Sequence, residues 1–469
     1  MRTKKGSTTK NKCQGSSHKY HRALDMINPS AGFIDIGSGE HWVCIPEDCC
    51  TKNVRRYAAF TSQLYEIRQW LLEHEITTVA MESTGVYWIP LYQVLEEANI
   101  EVCLVNARDL KSVKGRPKTD KLDCQWGQRL HSFGLLKASF RPPGQICEMR
   151  SIWRIRKQLV QEMSRTIQRM QKSLHEMNIL LPKVISDITG KTGMSIIEAI
   201  IKGERDPVRL AKLRDPRVHA SSDEIAEALC GDYRSEHIFL LTKAVEHNRF
   251  IQGQLSEYDE AIKERLEKIG KVKKVSNCDK IKNEKEHKKY KRRYPNAPLF
   301  DSRTLAHEIL GIDLGCVPGL SSVTLLGLIL EIGPDLTKWP DAAHFASWLG
   351  LCPNPRKSAG KDLGTHTKKC CNRAAGYFRM GGASLKQSQC YLGDFYRRMQ
   401  ARHGRGHAIT ATAHKLAVLF YKLVKDGEQY KEVNRSEYQK AMAKMRIESL
   451  TKRAHLLGFE LTPIKEKAS

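Results

Sequence analysis

The chain has 469 residues, 78 Lys and Arg against 52 Asp and Glu, and a formal net charge of +26. That length holds two or three cored domains. The excess of cations sets the chain apart from an average neutral enzyme and favours a polyanionic partner such as DNA or RNA. Fourteen cysteines without a Cys-x-x-Cys spacing argue against structural zinc and for reduced thiols. No apolar run approaches a membrane span, and the basic N-terminus lacks the apolar stretch of a secretory signal. The expectation is a soluble, cytoplasmic protein with no membrane partner.

Residues 1–30, rich in Lys, Ser, Thr and Asn, read as a flexible basic arm. From Gly32 a strand, a Gly37-Ser38-Gly39 turn and a second strand, His41 to Ile45, predict a hairpin. Phe60, Leu64, Ile67, Leu71 and Leu72 recur at helical spacing. A strand ending in Glu82, a helix from about Gly85 to Ala98 and a strand from Ile100 to Val105 follow. Thr119 then reads as the N-cap of a helix marked by Leu122, Trp126 and Leu130. Strands alternating with helices over 31–147 imply an α/β layer with a central sheet.

From 148 to 270 the pattern turns helical. One seam runs Ile152, Ile155, Leu159, Met163, Ile167, Met170, Leu174, Met177 and Leu181, and a second runs from Ile238 to Ile269. Two long narrow seams predict a helical hairpin or an intermolecular coiled coil, and their length favours dimerisation. Residues 271–300 form a basic linker, with eleven Lys or Arg against three acids between Lys271 and Arg293. The mostly helical C-terminal domain spans 301–430 and a tail 431–469. Val317-Pro318-Gly319-Leu320-Ser321-Ser322 resembles a helix-hairpin-helix turn, whose backbone N–H groups can meet a phosphate. Helices are expected over Arg373 to Lys386, Tyr391 to Met399 and Ala411 to Lys425. His403 and His407 lie in the Gly-containing break between the last two.

Four acids stand out. Asp35 and Glu82 sit inside β-like apolar runs, where a lone buried carboxylate is costly. Asp120 and Asp123, three apart, share a helix face. Strand-Asp, strand-Glu and helix Asp-x-x-Asp is the order needed by the metal centre of a ribonuclease-H-like nuclease. The ordinary alternatives are an edge residue in a strand and a solvated helix face. Ser358, flanked by small residues and by Arg356, Lys357 and Lys361, lets a phosphate approach its hydroxyl, although such a Ser is commonly only a loop residue.

Taken together the motifs carry a resemblance. Phe33-Ile34-Asp35-Ile36-Gly37, the run Ala80 to Trp88, Lys118 to Asp123, Val317 to Ser322 with Glu331-Ile332-Gly333, and Trp348 to Lys361 occur in this order. In this the chain is similar to the IS-one-ten-type insertion-sequence transposases, bridge-RNA-guided DEDD recombinases to which pilin-gene DNA invertases are related. The resemblance spans roughly 31–135 and 305–425, and the Arg397 to Ala408 run agrees with one subgroup.

The resemblance implies a RuvC-like (RNase H-like) N-terminal domain whose Asp35, Glu82, Asp120 and Asp123 hold Mg²⁺, with Mn²⁺ as a substitute. It implies a coiled-coil arm and a C-terminal transposase domain in which Ser358 attacks the scissile phosphate. This chain has Lys357-Ser358-Ala359-Gly360 where the family often has Ser-Gly. It further implies DNA partners (element ends and target), a structured guide RNA and a homo-oligomer, dimer to tetramer, in a prokaryotic nucleoid. The competing expectations are a metal-dependent nuclease or junction resolvase without a serine nucleophile, and a non-catalytic nucleic-acid-binding protein.

Overall fold

A computed structural model of the protein describes residues 25–110, 119–269, 296–359, 361–368 and 372–462. Most of the basic arm and of the 271–300 linker, and Lys118 with the loop before it, lie outside the described residues. The chain divides into two compact units, Met1–Arg141 and Pro142–Ser469.

The first unit is built on a five-stranded sheet. Its elements are β1 (Ala31–Ile36), β2 (Glu40–Cys44), β3 (Val54–Ala58), α1 (Thr61–Glu73), β4 (Thr78–Glu82), α2 (Trp88–Glu97), β5 (Glu101–Val105), α3 (Ala107–Leu110) and α4 (Asp120–Ser132). The strand order is β3-β2-β1-β4-β5. The first three strands form an antiparallel meander, and β4 and β5 then add parallel to β1.

Side chains alternate across the sheet, so each face has its own core. Ile34, Ile36, Val43, Val79 and Met81 pack with Leu64, Ile67 and Leu71 of α1 and Leu91 and Leu95 of α2. Phe33, Cys44, Ala80 and Val105 form the opposite face with Cys124 of α4. The expected α1 stripe is only partly buried, since Leu64, Ile67 and Leu71 face the core while Phe60 and Leu72 are exposed.

The second unit begins with α5 (Gly144–Glu176). Four short helices follow, α6 (Leu181–Val184), α7 (Lys191–Ile201), α8 (Pro207–Ala211) and α9 (Ser222–Ala228), and then the long α10 (Ser235–Lys268). Three pairs set the direction of α5 against α10. Arg156 meets Asp259, Thr166 accepts from Asn248 at 2.9 Å, and Glu148 accepts from Arg265 at 2.8 Å. Numbers rising on one helix as they fall on the other make the pair antiparallel. Leu159, Met163, Ile251 and Leu255 close the contact. The seams expected to favour dimerisation therefore face each other within one chain. Ile155, on the edge of the first seam, is left exposed.

The remaining elements are α11 (Ser302–Leu310), α12 (Ser322–Ile332), α13 (Ala342–Trp348), β6 (Pro353–Ser358), β7 (Lys361–Thr367), α14 (Arg373–Ser384), α15 (Tyr391–Asp426) and α16 (Arg435–Leu456). Phe345, Phe378 and Phe420 are fully buried and bring α13, α14 and α15 together. The arm is tied to this bundle by Trp153, whose indole N–H donates to the Tyr377 hydroxyl at 2.7 Å, and by Arg154, which donates to the largely buried Glu331 at 2.9 Å. The expected break within Arg402 to His407 is present: α15 is two helices that meet at Gly404, whose φ 82° and ψ 173° are non-helical and tolerated by glycine. Among the described residues no helix is long and apolar enough to cross a membrane.

Candidate active site

Asp35 and Glu82 stand near the ends of neighbouring parallel strands, in register one step beyond the Ile34–Met81 pair. Asp35 is two residues from Phe33 and Glu82 two from Ala80, so both carboxylates point to the face that α4 covers. Both are half-buried. Thr84 donates its hydroxyl to Glu82 at 2.7 Å, which orients that carboxylate.

Helix α4 is fixed on this face by polar contacts more than by apolar ones. Thr119 accepts from the Leu122 N–H at 3.3 Å and caps the helix, leaving Asp120 and Asp123 in its first turn where the helix dipole favours negative charge. Gln128 donates to the Ala31 carbonyl at 3.1 Å. The Cys124 thiol lies 3.4 Å from the Phe33 carbonyl and 3.1 Å from that of Trp42. His131 pairs with Thr78 at 3.0 Å. Burial holds the His131 imidazole below its usual pKa and pushes the Cys124 thiol well up.

A four-residue helix step of about 6 Å matches a two-residue strand step of about 6.6 Å. Gln128 at Ala31 and Cys124 at Phe33 are one such step apart. The next step brings Asp120 to the level of Asp35. Asp35 and Glu82 thus stand at the C-terminal ends of the neighbouring strands β1 and β4, on the face covered by α4, whose first turn carries Asp120 and Asp123.

The four acids do not close around a common point. Among the described residues no group of three or more His, Cys, Asp or Glu is placed to hold a metal ion. The donors are all carboxylate oxygens, the type suited to a hard divalent cation such as Mg²⁺.

The helix marked in the sequence by Leu122, Trp126 and Leu130 is present as α4, but these three residues do not form its buried face. Leu122 is 41% exposed, whereas Cys124, Gly127, Gln128, His131 and Ser132 are buried. Sequence reasoning passed over these residues. A mid-helix glycine was the one available signal, and its purpose is now plain: a Cβ on Gly127 would meet the Phe33 ring at 2.5 Å.

In the second unit Ser358 is the last residue of β6. It pairs in register with Lys361 across a two-residue turn and is exposed. Ala359, the first turn residue, has φ 47°, the left-handed region required by the tight mirror-image hairpin turns. The serine expected in a loop therefore stands at the tip of a β-hairpin.

The Val317 to Ser322 turn packs against α14. Gly319 has φ 93°, and a Cβ on Gly381 would meet its carbonyl at 2.4 Å. Ser321 caps α12 by accepting from the Thr324 N–H at 3.2 Å. His403 and His407 are exposed beside the α15 kink, with ring centroids 6.0 Å apart.

Two family models match the chain. One, described as a transposase of the DEDD IS110 type, covers residues 33–179 and so contains all four acids. The other, described as the transposase IS116/IS110/IS902 family, covers residues 314–386 and contains the hairpin with Ser358. No curated protein matches the chain. The protein is a transposase, an enzyme that binds, cleaves and rejoins the DNA of an insertion sequence. Within that class the chain belongs to the IS110-type family.

Proposed function

We propose that this transposase cuts and rejoins the ends of its own element through a covalent phosphoserine at Ser358, with Mg²⁺ held by Asp35, Glu82, Asp120 and Asp123. The observation that carries this reading is that Asp35 and Glu82 end neighbouring strands on the sheet face covered by α4, the helix whose first turn bears Asp120 and Asp123. The strand order β3-β2-β1-β4-β5 with α4 on the face of the acids supports an RNase H-like, RuvC-like unit. A bound divalent cation would have to draw the carboxylates closer than they now stand, and would stabilise charge on the phosphate and on the attacking or leaving oxygen.

The remaining roles belong to the chain itself. Ser358 is exposed and approachable from outside the hairpin, as a nucleophile for a DNA phosphate must be. Its Oγ forms a bond to phosphorus, the bond from phosphorus to a deoxyribose oxygen breaks, and the serine proton ends on that departing oxygen. One phosphodiester replaces another, so a second strand can reverse the step without an added energy source. Target choice is assigned to a structured bridge RNA, with the protein contacting backbone and shape through its cationic surface. Assembly as a dimer to tetramer in the nucleoid-associated cytoplasm completes the reading.

The test is covalent trapping. Purified protein with its copurifying RNA, labelled element-end DNA and Mg²⁺ is denatured and resolved for a protein–DNA adduct. The expected adduct disappears on chelation and in both Ser358→Ala and Asp120→Asn. Cleavage that survives Ser358→Ala without an adduct would replace this reading with a hydrolytic nuclease.

A further inference from the structure

We propose that Lys361 is a second functional residue of the hairpin, a cation that holds a non-bridging oxygen of the scissile phosphate while Ser358 attacks. This rests on Ser358 being the nucleophile.

The argument starts from register. Ser358 and Lys361 are directly paired across the β6–β7 turn. Directly paired residues project to the same face of a two-stranded ribbon, with their Cβ atoms about 5 Å apart. The flexible lysine stem then carries its ammonium over the space that a phosphate on Ser358 Oγ must occupy. Lys357 is the nearer neighbour in sequence, but alternation sends it to the opposite face of the ribbon. Lys361 is exposed and has no carboxylate partner among the described residues. A cation that no described carboxylate pairs with is available to a ligand.

The turn is built to make this pairing. Ala359 takes φ 47° despite carrying a Cβ, and such a residue is retained only where the surrounding structure demands the tight turn. A longer or looser loop would separate Ser358 from Lys361. In the reaction the charge on the non-bridging oxygens grows as the Ser358 Oγ–phosphorus bond forms and the bond to the departing deoxyribose oxygen breaks. The ammonium keeps its protons throughout and acts only by opposing that charge.

The experiment uses full-length protein with its copurifying RNA and element-end DNA carrying either a normal phosphodiester or a methylphosphonate at the scissile position. Lys361→Met is expected to slow adduct formation about 10²–10³-fold on the normal strand, with DNA binding in a mobility shift changed less than about threefold. Lys361→Arg should recover most of the rate. On the methylphosphonate, which lacks the non-bridging charge, Lys361→Met and the unaltered protein should react within a few fold of each other. A loss of rate that the methylphosphonate does not restore would make Lys361 a structural residue and overturn the proposal, as would a normal rate in Lys361→Met while Ser358→Ala is inert. Cleavage by Ser358→Ala would instead remove the serine reading beneath it.

Discussion

The Cys124 thiol meets the Phe33 carbonyl at 3.4 Å, and one helical turn further on Gly127 lets the Phe33 ring lie against the α4 backbone. These two contacts on one β1 residue set the height of the helix whose first turn bears Asp120 and Asp123. Replacing Gly127 by Ala would gain about 1 kcal/mol in helix propensity, but the new methyl collides with a ring that is 1% exposed and cannot retreat. Overpacking of this kind costs about 1–3 kcal/mol. Gly127→Ala is therefore expected to lower the melting temperature and to reduce adduct formation more than DNA binding. Adding Phe33→Leu, which makes room for the methyl, should restore both. Full activity in the single variant would show that the height of α4 does not matter to the reaction.

Burial also makes Cys124 a recorder of alkaline stability. Its thiol stands well above the ordinary value of 9.0, because its surroundings penalise the thiolate. The unfolded chain loses this proton near the ordinary value while the folded chain keeps it. The stabilisation is thus complete below that pH and declines as pH rises above it, by up to about 1.4 kcal/mol per pH unit. Denaturant midpoints measured from neutral to alkaline pH should fall less steeply in Cys124→Ala than in the unaltered protein. Cys124 should also resist alkylation until the chain unfolds. Rapid labelling of Cys124 in the folded protein at neutral pH would contradict the burial on which both expectations depend.

The arm depends on a buried ion pair. The Arg156 and Asp259 side chains are 5% and 3% exposed, and Asp259 also accepts from the Leu299 N–H at 3.0 Å while Arg156 reaches the Asn296 carbonyl at 3.2 Å. Asp259→Ala leaves a guanidinium buried without its counter-charge and is expected to cost about 3–5 kcal/mol. The double variant Arg156→Met with Asp259→Leu removes both charges and should regain most of that loss, because replacing a whole buried pair by apolar groups is often near neutral. Chemical denaturation of four proteins, the unaltered one, Arg156→Met, Asp259→Leu and the double variant, closes the cycle, and additive losses would mean the pair is not coupled.

Legibility in the sequence followed the kind of force that builds each element. Asp35 and Glu82 were visible because a charge inside a β-branched run is anomalous, and Thr119 because a cap is a local signal. The buried face of α4 was not visible, since Cys124, Gly127, Gln128 and His131 bury by hydrogen bonds and close approach while Leu122 faces solvent. A search for apolar period therefore selects the wrong stripe. The hairpin bearing Ser358 was also hidden. Its pairing is non-local, its strands contain two prolines and no alternation, and Ala359 occupies the turn position that usually announces itself as glycine. The two arm seams were legible as helices, but apolar spacing is the same for a partner in the chain and a partner outside it. The Arg156–Asp259 pair, opposed only in the antiparallel arrangement, decides between them.

The last helix rests on one carboxylate. α16 has no buried residue. It is attached where Asp394 of α15 accepts from Arg435 at 2.8 Å and from Gln439 at 2.9 Å while also pairing with Arg397, with the Tyr391 and Tyr438 rings in edge contact alongside. The Arg435 guanidinium, followed by Arg397 and Gln439, holds the Asp394 carboxyl down to about 2, against an ordinary 3.8. A depressed carboxyl stabilises above its unfolded value, and the contribution is lost as pH falls through the folded one. Docking of α16 should accordingly persist at neutral pH and fail toward pH 2. Because Arg435 is partly exposed, screening limits the contribution to about 1 kcal/mol, and added salt should weaken it. Asp394→Asn is expected to speed protease cleavage within residues 427–434 by about fivefold at neutral pH, the population change that 1 kcal/mol implies. The melting temperature of the main bundle should hardly move. Equal cleavage rates in the two proteins would show that something other than Asp394 holds the helix.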